Sequence, residues 1–539
     1  MLRRFPLGRA STLENCLSNP NLKLEDLYEA DDQLLQEVHL QNPKLISFLR
    51  RPPVLLQLVN AIVRDIPEKS KNEAAFQASR YACEILSAGI PALMDGMVYA
   101  NPEILVVLWA LLDQPRSLSP QQLVGFCRIN DMLLRRRTGD LISFLQEHPE
   151  LLSKWIDHIF IEGGAGMPYL TDLMVALVRC DYMSEGAGVA AWLIDQDLPR
   201  LLIARLDPNE EPENHEVAQL LLCAILRADE YSRTNAIVDY LLSYDANKQL
   251  ADYMLDKKAL HAASAFIHGA SLIRGVRQQF ERSVVSDGTK NDTTLFDFVL
   301  TAFTERVDDI LSLLEGPRSV QDTTKTLGLE RITVCELMVD LLYCSSAVMN
   351  YRQRHSTASQ SCPGHAFRAA LIQHQAIPRC IKPFFEFPWN NIYHNSAYAF
   401  LREIIVEDAT RYPELLDEIL FNATLVRQIL ERAQETKKTN QRVGYLGHLT
   451  LLSNDLKYLF KGFPALAQRV LDESNLRAQW DAHISELDKD VQLQMAFGGD
   501  AVYWNASQEY HNDMDEDVHE LDEGPMEGEA EARDAEWTK

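Results

Sequence analysis

The chain lacks alternation. No run of residues between turn signals switches strictly from apolar to polar and back, which removes half-buried strands and with them barrels and sandwiches. It also lacks a positive balance, since 52 Lys and Arg stand against 78 Asp and Glu for a net charge of −26. Phosphate backbones and anionic lipid surfaces are recognised by clustered cations that displace counterions, so neither nucleic acid nor membrane is expected as a partner. Paired cysteines are missing as well. The nine present, at 16, 83, 127, 180, 223, 335, 344, 362 and 380, are odd in number and mostly sit inside apolar helical runs. Buried free thiols in a reducing compartment are expected, rather than a disulfide scaffold. The first twelve residues carry arginines but no apolar core of a secretory leader. No stretch approaches the length that spans a bilayer. The expected location is cytoplasmic, and possible in the nucleus as well.

Catalytic and cofactor motifs are equally scarce. No Ser/His/Asp or Cys/His nucleophile arrangement is visible. Gly186-Ala187-Gly188-Val189-Ala190-Ala191 fits the dinucleotide pattern G-x-G-x-x-A, but that motif needs a strand before it, and the run Leu170–Arg179 is helical. An inter-helix turn is expected instead. Gly163 to Gly166 reads as a helix-ending loop. His355, Cys362, His365, His374 and Cys380 crowd one segment, yet only Cys362-x-x-His365 has a zinc-like spacing. His374 and Cys380 fall in a helical run, Phe367–Ile381, so core or surface roles are expected. No cofactor and no metal is assigned. Glu25, Asp26, Glu29, Asp31 and Asp32 make an acidic helix start, either a solvated face or a patch that docks a basic partner.

What the chain has is helical periodicity from end to end. Leu170, Leu173, Leu177 and Val178 trace one apolar face; Val334, Met338, Leu341 and Leu342 trace another. Asn42-Pro43, Asn101-Pro102 and His148-Pro149 mark helix starts. Ser119-Pro120-Gln121-Gln122 adds a capping box, with glutamine three residues after the capping serine. Helices of twelve to twenty residues joined by short turns are expected, with breaks at 207–215, 284–294, 316–326 and 352–364. The fold class is all-α. Helix pairs recurring about every forty residues point to a right-handed α-solenoid of degenerate HEAT- or armadillo-like repeats. The expected division is a repeat domain over 1–490, a transition over 491–511, and a disordered acidic tail over 512–539.

One segment stands apart. Pro383 to Phe400, PFFEFPWNNIYHNSAYAF, holds four phenylalanines, a tryptophan and two tyrosines around a Trp389-Asn390-Asn391-x-x-His394-Asn395 core. It reads as a break between two helical patterns. Two roles are open. In one, Trp389, Phe384 and Phe385 plug the gap between helix pairs while the amides and His394 satisfy buried carbonyls. In the other, the loop lies on an edge and Trp389 anchors a partner. The packing role is favoured, because a tryptophan beside a proline turn packs inward readily.

This segment resembles the signature of the SAPS family, regulatory subunits of phosphatase 6-class Ser/Thr phosphatases. Three further blocks resemble the family in its own order: Leu24 to Leu55, Leu327 to Ser346, and Arg442 to Asn454 with its Gly444-x-x-Gly447-His448-Leu449. Together they span roughly residues 1–490. Ala259 to Phe280 follows the family pattern only loosely, and the long tail of relatives is reduced to a short acidic one. The resemblance implies a non-catalytic scaffold that binds the phosphatase catalytic subunit and directs its substrate choice or localisation, in cell-cycle and other signalling. It also implies, in some cases, an ankyrin-repeat subunit. Partner contact is assigned to Trp389, Asn390, Asn391, His394, Asn395, Gly447 and His448. The alternative is an adaptor of transport or trafficking type that carries basic peptides on an acidic face.

Overall fold

The computed structural model describes residues 12–29, 32–66, 73–114, 118–161, 167–228, 236–286, 294–319, 325–354, 362–407, 412–439, 443–472 and 474–496. Every regular element among them is helical. The tail expected over 512–539 lies outside these residues, as do His355 and Gly163 to Gly166. The segment expected as a transition from 491 is described as far as residue 496, still within a helix. The chain divides into two compact units, Met1–Ala423 and Thr424–Lys539.

The helix starts in the first unit follow from their capping chemistry. At α1 (Pro43–Leu49), Asn42 Oδ1 accepts from the amides of Lys44 and Leu45 at 3.1 and 3.4 Å, so two donors that the first turn leaves open are satisfied. Next come α2 (Pro52–Val63) and α3 (Glu73–Ser87). Helix α4 (Pro120–Arg136) opens on a reciprocal box: the Ser119 amide donates to Gln122 Oε1 at 3.0 Å and the Gln122 amide to Ser119 Oγ at 3.4 Å. Gln122 Nε2 then donates to the Val63 carbonyl at 2.7 Å, tying this box to the end of α2.

The row continues with α5 (Met167–Arg179), α6 (Pro212–Arg227), α7 (Tyr244–Met254), α8 (Ala262–Ser286), α9 (Thr294–Thr304) and α10 (Leu329–Arg354). It ends in α11 (Pro363–Gln373), α12 (Ala376–Glu386) and α13 (Asn391–Arg402). Packing is serial. Helix α2 lies on α3, α3 on α4, α4 on α5, α5 on α6, α6 on α8, α8 on α10 and α10 on α13. The apolar faces read from the sequence are the buried ones: Leu170, Leu173, Leu177 and Val178 on α5, and Val334, Met338, Leu341 and Leu342 on α10. The expected breaks fall within a few residues of the observed helix ends.

Two expectations need correction. Helix lengths among the described residues scatter more widely than twelve to twenty, from five at Leu24–Tyr28 to 26 in α10. Short π-helical turns at Gly96–Ala100, Glu403–Glu407 and Glu418–Asn422 each continue directly from an α-helix. The expectation that no stretch approaches the spanning length is also corrected: Leu329–Gln353 is, by length and composition, apolar enough to cross a bilayer. It packs against α8, α9, α11 and α13, so its apolarity belongs to a helix enclosed by other helices. Glu330, Arg331 and Asp340 are buried along it, each with polar partners.

The second unit contains α14 (Leu425–Thr439), α15 (Leu446–Gly462), α16 (Pro464–Val470) and α17 (Ser474–Ala496). Helices α14, α15 and α17 pack on one another around Ile429, Leu452, Leu456, Phe460 and Trp480.

Candidate functional site: an aromatic corner between two helices

The aromatic segment is mostly helix, which corrects its reading as a long break. Helix α12 runs through Pro383 to Glu386, losing one intrahelical donor at the proline, and α13 resumes at Asn391. Only Phe387 to Asn390 turn the chain. The Phe387 amide donates to the Pro383 carbonyl at 3.0 Å and the Asn390 amide to the Phe387 carbonyl at 3.1 Å. Asn390 then caps α13, its Oδ1 accepting from the Tyr393 amide at 2.9 Å.

The inner side of this corner is full. His394 is completely buried, and its Nε2–H donates to the Phe384 carbonyl at 3.0 Å while its ring lies 4.7 Å from that of Phe384. That bond assigns the proton to Nε2. Tyr393 Oη donates to the Cys380 carbonyl at 2.7 Å and sits 3.5 Å from Cys335 Sγ, so α12, α13 and α10 are clamped together. Phe384 is buried and meets Phe385 edge to face at 5.1 Å.

Trp389 does not join them. It is 70 % exposed, and the inward plug expected of it is not formed. The physical reason is occupancy: Phe384, Tyr393 and His394 already fill the space under a turn only four residues long. Asn391 and Asn395 face solvent on the same helix. Sequence reasoning missed two apolar neighbours of this corner. Ile392 is 64 % exposed and Leu329, at the first position of α10, is 62 % exposed. Contacts between α10 and α13 rise together along both helices, Cys335 with Tyr393 and Glu336 with Ser396, so the two run parallel and Leu329 lies at the Ile392 end. One signal for Ile392 was available: it falls off the buried stripe of Tyr393, Ala397 and Phe400.

A groove of about 380 Å³ opens beside the corner, lined in part by Glu315, Arg331, Arg379, Lys382, Glu386 and Phe387. Arg331 lies over the Phe387 ring at 5.1 Å and donates through Nε to the Leu314 carbonyl at 2.7 Å. Burial lowers its pKa, with Glu386 opposing. Arg379 grips Glu315 with two bonds of 2.7 Å and reaches Asp308 at 2.9 Å. Both guanidiniums are thus already held by acceptors of the chain itself, and the groove is lined by paired charges beside an aromatic face.

The remaining assigned residues lie elsewhere. Gly447 and His448 belong to the second unit, in the first turn of α15. A Cβ added at Gly447 would meet open space, so no neighbouring helix requires a glycine there. His448 is half-buried, and burial lowers its pKa. In the acidic start, Asp26 Oδ2 accepts from the Lys23 amide at 3.0 Å as a cap, while Glu25, Tyr28 and Glu29 help line a hollow of about 500 Å³. Asp31 and the Asp32 side chain lie outside the described residues.

The two cofactor-like patterns resolve into structure. Gly186 to Gly188 form a turn between helices, as expected. Gly188 has a left-handed φ of 93°, and Asp181 Oδ1 accepts from the amides of Gly188 and Ala190 at 3.0 Å each. The zinc-like group is dispersed. His365 stacks edge-on with Tyr412, His374 Nδ1 is 3.5 Å from Asp308, and Cys380 is buried beside Cys335. The expected continuous helix there breaks at His374–Gln375, where Gln375 adopts a left-handed φ of 53°. Among the described residues no group of three or more His, Cys, Asp or Glu is gathered as metal ligands.

The helices pack serially and turn an aromatic corner, with Trp389 and Ile392 outermost, to solvent. The family model described as SAPS, SIT4 phosphatase-associated protein, matches residues 130–491, and the chain belongs to that family. It is 23 % identical over 523 residues to serine/threonine-protein phosphatase 6 regulatory subunit 3 of Gallus gallus, covering 89 % of this chain and 57 % of that protein. It is 22 % identical over 597 residues to regulatory subunit 2 of Homo sapiens, covering 95 % and 59 %. Extragenic suppressor of kinetochore protein 1 of Schizosaccharomyces pombe is 27 % identical over 375 residues, covering 64 % and 44 %. The chain thus spans about half the length of the curated relatives it matches.

Proposed function

We propose that this protein is a non-catalytic regulatory subunit that holds a Ser/Thr phosphatase catalytic subunit of the phosphatase 6 class. Family membership and the printed names of the relatives support this role. The observation that carries the contact surface is the split at the corner between α12 and α13: His394, Tyr393 and Phe384 lock it while Trp389 and Ile392 face solvent. A rigid base under an exposed tryptophan and isoleucine suits a binding hot spot, because the backbone that carries the anchor needs no ordering on association. The contact residues are Trp389, Asn391, Ile392, Asn395 and Leu329, with the Arg331–Phe387 groove beside them. Dephosphorylation chemistry belongs to the partner in this reading.

Serial packing from α2 to α13 supports a solenoid of degenerate HEAT- or armadillo-like repeats in the first unit. An ankyrin-repeat third subunit and a cytoplasmic or nuclear site of action complete the proposal. The test is co-purification of the tagged chain from its own cells. A phosphatase 6-type catalytic subunit in near one-to-one ratio is expected, and Trp389→Ala with Ile392→Ala should lose it while the chain elutes and melts normally. Stoichiometric recovery of a different partner, with no phosphatase, sinks the reading.

A further inference from the structure

A groove of about 640 Å³ lies within the second unit, framed by α15, α16 and α17. Its floor is apolar: Phe460 and Trp480 meet edge to face at 5.6 Å, and Leu471 is buried beside them. Helix α16 buries none of its own residues, so this wall is covered on one side only. The rim is cationic. Lys461, Arg477 and Lys489 are exposed and outnumber the one exposed carboxylate of the lining, Asp481, whereas Lys457 is held by Asp488 at 2.6 Å. Residues 424–496 carry ten Lys and Arg against nine Asp and Glu, in a chain whose net charge is −26. The rest of the chain is therefore acidic while this part is not.

The complementary segment is in the same chain. Residues 513–539 contain twelve Asp and Glu against Arg533 and Lys539. Val518 and Leu521 sit three apart among Asp517, Glu520, Asp522 and Glu523. Helix α17 ends at Ala496, which leaves sixteen residues, 497–512, before the acidic stretch. Extended, they reach about 50 Å, whereas Arg477 lies only about 28 Å back along α17. A linker of this length holds its end at an effective concentration on the order of millimolar, so modest contacts suffice.

We propose that residues 513–539 dock in cis on this groove. Val518 and Leu521 rest on the Phe460–Trp480 floor, and the flanking carboxylates face Lys461, Arg477 and Lys489.

The test uses the full chain carrying a photo-crosslinking residue, Leu521→p-benzoylphenylalanine. Irradiation at low micromolar concentration should give intramolecular crosslinks that map mainly to peptides within 457–489. Their yield should fall as salt is raised, and about tenfold in Lys461→Glu/Arg477→Glu. Both substituted positions are exposed, and an unchanged melting temperature confirms the fold of the double variant. Adding Glu520→Lys/Asp522→Lys/Glu523→Lys to it should restore the crosslink, which a misfolded groove would not allow. Crosslinks that map to the first unit, that appear only between chains as concentration rises, or that ignore the charge reversal overturn the proposal. So does the absence of any crosslink.

Discussion

Trp389 and His394 are five residues apart and have opposite roles. His394→Ala removes the donor to the buried Phe384 carbonyl and opens a hole under the turn, which together cost about 2–4 kcal/mol. The melting temperature should fall by several degrees, on the order expected for such a loss in a large domain. Trp389→Ala touches no packed neighbour of that kind and should change stability by no more than about 0.5 kcal/mol. Its effect should appear in partner affinity instead, weakened about thirtyfold or more. Thermal unfolding followed by circular dichroism, with pull-down of the catalytic subunit, separates the two; a normal melt for His394→Ala would remove the clamp from the account.

At the scale of elements, α8 and α10 are joined by charge as well as by apolar contact. Asp340 is 3 % exposed and lies 2.7 Å from Arg277 Nε and 3.3 Å from Arg274 Nε. Arg274 also holds Glu336 at 2.7 Å, and Glu336 accepts from Ser396 Oγ at 3.3 Å, which carries the link to α13. Removing the buried partner takes one of two carboxylates from each guanidinium, because Arg274 keeps Glu336 and Arg277 keeps Glu281. Because both guanidiniums are partly exposed, Asp340→Ala should cost about 2–3 kcal/mol, somewhat below a fully buried pair. The denaturant midpoint should drop with an unchanged slope.

Between α6 and α8 the coupling is to pH. His215 bonds Ser264 Oγ at 2.9 Å and the Asp207 carbonyl at 2.8 Å, with the His268 ring 6.4 Å away. Burial is the main cause that lowers both pKa values; His261 adds to it at His215, and His215 at His268, against Glu210 and Asp207 near the first and Glu216 near the second. The unfolded chain therefore takes up protons first as pH falls below about 6.5. Stability is fully present above that value and is lost as pH falls toward and through the lower folded pKa values. Unfolding midpoints at pH 7.5 and 5.5 should differ in that direction, and His268→Gln should reduce the difference. An equal slope in the variant would assign the pH dependence to other groups.

For the whole molecule, the cysteines give a direct probe of how much chain is enclosed. All nine are free thiols, and seven are buried; Cys16 and Cys362 are half-exposed. Burial, with nearby carboxylates, pushes the Cys127 thiol up to about 12 and Cys180 to about 11. Reactivity requires the thiolate, so an aromatic disulfide reagent should titrate two thiols quickly in the native protein and the other seven only on unfolding. Nine thiols reacting at one rate would contradict the packing described.

Periodicity, caps and the lack of alternating strands were enough to read an all-helical chain, its main breaks and its buried faces, because these follow from which residues recur every three or four positions. Ordered local blocks were enough to read the family. The corner at Trp389 was legible as important but not as exposed. Whether a tryptophan turns in or out depends on what else fills the space beneath a short turn, and here Phe384 of α12 with Tyr393 and His394 of α13 fill it, a competition that local pattern does not decide. The same holds for Leu329, which becomes a neighbour of Ile392 only through the parallel packing of α10 on α13. It holds as well for the apolar length of α10, which local composition cannot distinguish from a membrane span and which surrounding helices explain. Local order is written in the sequence; which surfaces remain uncovered is decided by contacts between residues far apart in it.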